Sequence, residues 1–141
     1  GCAFSVRTGC EANLTGTVLT GNSVEGYADK NDGDGEQGGA IYVGYGSLSL
    51  TNVTATGNTA SDFGGVVNSV SSDVTISGGT FENNSSKNGG AVNAITNSDV
   101  TVDAATFKAN NATAEGGAVY IKGSSSKLII PQRSVLHPAK E

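Results

Sequence analysis

Methionine is absent from the 141 residues, histidine occurs once, at His137, and cysteine and proline occur twice each. With no methionine and a start at Gly1, the chain reads as a processed or excised form, with no signal peptide at its beginning. Basic side chains are few. Eight Lys and Arg against thirteen Asp and Glu give a formal charge of −5, and the cations form no cluster, so a phosphate-binding footprint is missing and nucleic acid is not expected as a partner. No apolar run approaches the roughly 20 residues that a membrane-spanning helix needs. The amphipathic stretches of Leu, Glu, Lys and Ala that would build a helical bundle are also missing, so little helix is expected.

What is present is Gly, at 21 positions, with abundant Ser, Thr and Asn and only 36% hydrophobic residues. Such polarity suits disorder, but a disordered chain lacks β-branched residues in an ordered pattern. Here Leu48-Ser49-Leu50, Val74-Thr75-Ile76, Val100-Thr101-Val102 and Leu128-Ile129-Ile130 follow one another at 26, 26 and 28 residues. Asn58, Asn84 and Asn110 keep the 26-residue step, each three residues after Ala55, Phe81 or Phe107, and Asn22 heads the same column three residues after Leu19. Gly pairs at 38–39, 64–65, 89–90 and 116–117 form a third register.

A fixed period of this size indicates a solenoid, and each unit reads as short extended segments divided by Gly, Asn, Ser and Asp turns, with no helix. The pattern predicts an all-β, right-handed parallel β-helix of about 26 residues and three short strands per coil, in about four to five coils. Leu48, Val74, Val100 and Leu128 should line the interior with Leu50, Ile76, Val102 and Ile130, while Ala55, Phe81 and Phe107 fill a third corner. Asn58, Asn84 and Asn110 should stack as an amide ladder. The whole chain is expected to be one domain, with a cap at 1–15, coils at 16–130 interrupted by an acidic loop at 25–37, and a tail or cap at 131–141.

The motifs Gly-Gly-Ala-Ile at 38–41, Gly-Gly-Ala-Val at 89–92 and 116–119, and Phe-x-x-Asn at 81–84 and 107–110 resemble the polymorphic outer-membrane protein repeat. The likeness covers about residues 38–120. One unit departs from it, carrying Gly64-Gly65-Val66-Val67 and Ala55 in place of Phe. The resemblance implies the β-helical passenger of an autotransporter-type surface protein, a class implicated in adhesion.

Several residues carry specific expectations. Cys2 and Cys10 would close a disulfide loop in an oxidising compartment, or remain free thiols. Sequons at Asn13, Asn52, Asn83, Asn84 and Asn111 are possible glycosylation sites. Asp73 and Asp99, one repeat apart, would stack about 5 Å from each other, a spacing that suits a retaining glycosidase pair, although an Asp opening a strand ordinarily bonds to nearby backbone. Asp29, Asp32, Asp34 and Glu36 have calcium-ligand chemistry without the EF-hand spacing, so the default is a solvated loop and no cofactor, with calcium as the alternative. Tyr42, Asn68, Asn93 and Tyr120 occupy matching positions after the Gly pairs and would form an outward binding face for glycan. Ser49, Thr75 and Thr101 form a second line that could order water, as on an ice-binding surface. His137 has no nucleophile placed beside it by any motif.

These features predict a non-catalytic extracellular surface or structural protein. It would serve as an adhesin module with a cell-surface or glycan partner, or as a subunit that self-associates end to end. The alternative is a carbohydrate-active or carbohydrate-binding β-helix.

Overall fold

The computed structural model describes residues 3–25 and 38–131. Among them are eighteen strands and no helix. The first coil holds β1 (Phe4–Val6), β2 (Glu11–Thr15), β3 (Val18–Thr20) and β4 (Ser23–Val24). The second holds β5 (Ile41–Gly44), β6 (Ser47–Thr51), β7 (Thr54–Thr56) and β8 (Thr59–Ala60), and the third β9 (Val67–Val70), β10 (Asp73–Ser77), β11 (Thr80–Glu82) and β12 (Ser85–Asn88). The fourth holds β13 (Val92–Ile95), β14 (Asp99–Asp103), β15 (Thr106–Lys108) and β16 (Asn111–Glu115), and β17 (Val119–Lys122) and β18 (Lys127–Ile129) follow.

Corresponding strands pair in parallel into four sheets, in the orders β1-β5-β9-β13-β17, β2-β6-β10-β14-β18, β3-β7-β11-β15 and β4-β8-β12-β16. The β-solenoid is therefore as expected, but each coil has four strands rather than three. The fourth sheet escaped the pattern because its strands are short and polar, with only two residues each in β4 and β8. The evenly spaced stack amounts to about three turns of about 26 residues, slightly fewer than the four to five coils predicted. The first coil stands 36 residues before the second, a separation that includes the acidic insertion. Within the segment assigned to a cap, β1 and β2 pair with β5 and β6, so the first coil begins there.

The register confirms the apolar columns. Ala12, Leu48, Val74, Val100 and Leu128 are successive Cα partners, as are Leu14, Leu50, Ile76 and Val102. Leu48, Leu50, Val74, Ile76 and Val100 are buried, whereas Leu128 and Ile130, at the end of the stack, are 43% and 67% exposed. A single coil cannot bury its own inner face, and among the described residues no further strand pairs beyond β17 and β18. In the third sheet Leu19, Ala55, Phe81 and Phe107 align, and the Phe81 and Phe107 rings stack at 4.9 Å between centroids.

Corners are built by left-handed backbone in columns. Gly16, Asn52, Gly78 and Ala104 turn the chain from the second sheet to the third with φ of 60°, 50°, 68° and 56°. Inter-coil bonds continue around this bend, from Gly16 N to Thr51 O and from Asn52 N to Ser77 O. Backbone polar groups at the bends are thereby satisfied by the neighbouring coil.

Two side-chain ladders tie the coils together. Asn58 Nδ2 donates to Leu19 O and to Asn84 Oδ1 at 2.8 and 2.9 Å, and Asn84 Nδ2 donates to Ala55 O and Asn110 Oδ1 at 3.0 and 2.9 Å. Each Oδ1 also accepts the backbone N–H of the preceding ladder residue, from Asn22 to Asn58 and onward to Asn84 and Asn110. The second ladder is Ser72, Ser98 and Ser126 at the corner between the first two sheets. Their hydroxyl oxygens accept from the N–H groups of Gly46, Ser72 and Ser98.

Candidate functional site

The structure brings Asp73 and Asp99 together as Cα partners at the head of β10 and β14, in a column that runs Glu11, Ser47, Asp73, Asp99, Lys127. Asp99 Oδ1 is buried without a hydrogen-bond partner. The flanking column members are a serine and a lysine, and among the described residues no three His, Cys, Asp or Glu side chains converge as a metal set. The calcium candidates Asp29, Asp32, Asp34 and Glu36, and also His137, lie outside the described residues.

The expected outward face is not available to a ligand. Tyr42, Asn68 and Asn93 are 2%, 0% and 0% exposed. Alternation along a strand places them opposite the core residues Ile41, Val43, Val67 and Val92, but β5 and β9 are buried on both faces and β13 nearly so. Asn93 Nδ2 donates to Asn68 Oδ1 at 2.7 Å, and the Arg7 guanidinium lies 5.0 Å from the centre of the Tyr42 ring. These residues therefore hold the structure together. Tyr120, in the last strand of that sheet, is half-buried and donates its phenol hydrogen bond to Glu115.

The Glu115 bond, then burial and the carboxylate's charge, raise the Tyr120 pKa above its ordinary 10.0. The neutral phenol is the bonded form, so its stabilising contribution holds below the unfolded pKa and is lost as pH rises through the folded one. In an absorbance titration at 295 nm, Tyr120 should ionise at higher pH than a free tyrosine. Glu115→Ala should return it to the ordinary range, and an unchanged titration would contradict the assignment.

The sequons separate by burial. Asn13, Asn52, Asn83 and Asn111 are exposed, whereas Asn84 is fully buried in the amide ladder and cannot accept a glycan in the folded protein. Cys10 is exposed with a free thiol, and Cys2, its partner in the expected disulfide, lies outside the described residues. Ser49, Thr75 and Thr101 align in register on the outside of the second sheet, as the spacing predicted.

The second-sheet columns, the Phe column and the amide ladder all pass through the segment from β10 to β13. Residues 74–95 match the Chlamydia polymorphic membrane protein repeat. The matched segment runs from Val74 in β10 to Ile95 in β13, one coil that carries Phe81, Asn84 and the Gly89-Gly90 pair. This is the family that the Gly-Gly and Phe-x-x-Asn motifs resembled, and it is a family of surface proteins. No curated protein and no solved structure matches the chain.

The sequence reading passed over the corner between the first and second sheets. Tyr45, Ser71 and Thr96 all turn there with positive φ, and the Tyr45 side chain is 53% exposed. Beside it lies a surface groove of about 490 Å³ whose lining includes Cys10, Glu11, Tyr45, Ser47, Ser71 and Asp73. A tyrosine immediately before Gly46, where the other coils carry Ser71 and Asn97, was the available signal.

Proposed function

We propose that the protein is a non-catalytic, extracellular surface β-helix that serves as an adhesin module. The observation that carries this reading is an uninterrupted stack of parallel coils, one of which matches a surface-protein repeat. Its outward side chains are mostly short and polar and are repeated coil by coil, as in Ser49, Thr75 and Thr101. Such a stack holds its outer faces rigid, because every coil is bonded to its neighbours through both backbone and ladder side chains. Beads coated with the folded protein should adhere to a cultured cell layer more than beads coated with the heat-unfolded protein. Equal adhesion would count against the adhesin reading.

A second reading, end-to-end self-association, is favoured by one observation. Leu128, Ile129 and Ile130 are 43%, 43% and 67% exposed beside the edge strands of the first two sheets. An apolar sheet edge is a template for pairing with another chain, and head-to-tail pairing does not close. Sedimentation velocity across a concentration series should then show growing assemblies that Ile129→Lys suppresses. A single monomer species at the highest concentration would rule this reading out.

A further inference from the structure

Tyr45 is expensive to keep where it is. Its φ of 57° lies in the left-handed region, where a bulky side chain is a genuine outlier. Aromatic rings ordinarily offset such a cost by burial, yet this one is 53% exposed. Its backbone is held on both sides, with Gly9 N donating to Tyr45 O at 2.9 Å and Tyr45 N donating to Val70 O at 3.1 Å. The ring therefore projects from a corner fixed by two neighbouring coils. The same left-handed turn recurs at Ser71 and Thr96 in the following coils, so what sets Tyr45 apart is an exposed aromatic ring at a corner where the others carry small polar side chains.

The groove beside the ring has the chemistry of a hydroxyl-rich ligand site. It is a shallow depression, open to solvent and lined mostly by polar groups. Glu11, Ser47 and Asp73 enter it from one column of the second sheet, about 4.8 Å apart per coil. Ser71 enters from the corner, its hydroxyl hydrogen committed to Thr96 O at 2.8 Å, which leaves its oxygen to accept. Among the described residues no Lys, Arg or His lines the groove, and its charged side chains are the two carboxylates of Glu11 and Asp73.

From these features we infer that the groove beside Tyr45 is a binding subsite for a neutral pyranose. The C–H face of the sugar stacks on the Tyr45 ring, and its hydroxyls donate to the Glu11 and Asp73 carboxylates and to the Ser71 oxygen. The unbalanced negative charge repels uronic and sialic acids. The subsite rests on the adhesin reading and names the chemical class of the partner: a cell-surface glycan with exposed neutral sugar.

The test uses the full chain, with cellotriose as the neutral probe and a hyaluronate tetrasaccharide as the anionic one, each followed by saturation-transfer NMR and calorimetry. Cellotriose should bind, and hyaluronate should bind about tenfold more weakly. Tyr45→Gly removes the ring and relaxes the left-handed backbone, so it should keep or raise the melting temperature while weakening cellotriose binding about tenfold. Tyr45→Phe should retain affinity within about twofold, since the ring face is what stacks. Asp73→Asn should weaken the neutral probe and narrow the gap to the anionic one. Absence of cellotriose binding, unchanged binding by Tyr45→Gly, or equal affinity for hyaluronate overturns the subsite. Bead adhesion that survives Tyr45→Gly overturns the subsite and leaves the adhesin reading standing, whereas absence of adhesion by the native protein removes that reading itself.

Discussion

Gly65→Ala should be among the most damaging single substitutions in the protein, and Gly117→Ala among the mildest, although both replace the second member of a Gly pair. A Cβ on Gly65 would sit 2.1 Å from Gly90 O and 2.8 Å from Ser85 N, and a Cβ on Gly90 would sit 2.1 Å from Gly117 O. These are backbone atoms of the next coil, fixed by the inter-coil bonds, so they cannot move aside as a flexible side chain would. Neither glycine has positive φ, so the effect is steric rather than conformational. Prising two coils apart should cost about 3 kcal/mol or more, at the upper end for overpacking. In thermal unfolding this corresponds to a drop of roughly 10 °C or more. At Gly117 the nearest atom to a Cβ is Asn110 O at 3.6 Å, an ordinary contact, so Gly117→Ala should stay within about 0.5 kcal/mol of the native protein. Equal losses at the two positions would contradict the stacking that defines the fold.

The second large effect is expected at Asn84. Its amide is fully buried, donates to Ala55 O and Asn110 Oδ1, and accepts from the backbone and side-chain nitrogens of Asn58. Asn84→Ala leaves a carbonyl, an amide oxygen and two donors short of a partner inside the stack. With unsatisfied buried groups costing about 1–3 kcal/mol each and partial rescue by water, the net loss should be about 3 kcal/mol or more. Asn84→Asp preserves the shape but removes both donors and buries a charge, so it should be at least as damaging at neutral pH. The loss should lessen in acid, where the protonated carboxyl recovers one donor. Asn110→Ala removes a half-buried ladder end and should cost less. Chemical denaturation of the three variants checks the order, and Asn84→Ala unfolding like the native protein would show that the ladder is incidental to stability.

The architecture was legible because its columns repeat in the sequence. Leu48, Val74 and Val100 alternate with Ser49, Thr75 and Thr101, and the same alternation reappears at a constant interval that only stacking explains. The amide ladder was legible for the same reason. Ser72, Ser98 and Ser126 were not read as a ladder, because a serine in a turn is so common that its recurrence carries little weight, although its spacing is visible.

Function was less legible, and the reason lies in particular residues. Strand alternation correctly turned Tyr42, Asn68 and Asn93 away from the apolar core, but period two cannot tell a solvated face from a covered one, and these side chains are buried. Tyr45 lies outside every strand, so no period marks it; its exposure and left-handed backbone emerge only from the fold. Asn84 satisfies the glycosylation sequon while its amide is committed to the ladder, a conflict between motif and packing that burial resolves.

The central claim is that the coils lie in parallel register, one repeat above the next. Oxidation of engineered cysteine pairs in a Cys2→Ser and Cys10→Ser background tests it most directly. Thr75 and Thr101 are Cα partners on the outside of the second sheet, about 4.8 Å apart and within reach of a disulfide, whereas Thr75 and Asp103 lie on the same face but two residues out of register. Mass spectrometry should find an intramolecular bridge formed readily by Thr75→Cys with Thr101→Cys and not by Thr75→Cys with Asp103→Cys. Preferential bridging of the out-of-register pair, or no bridge in either, would contradict the stacked-coil account.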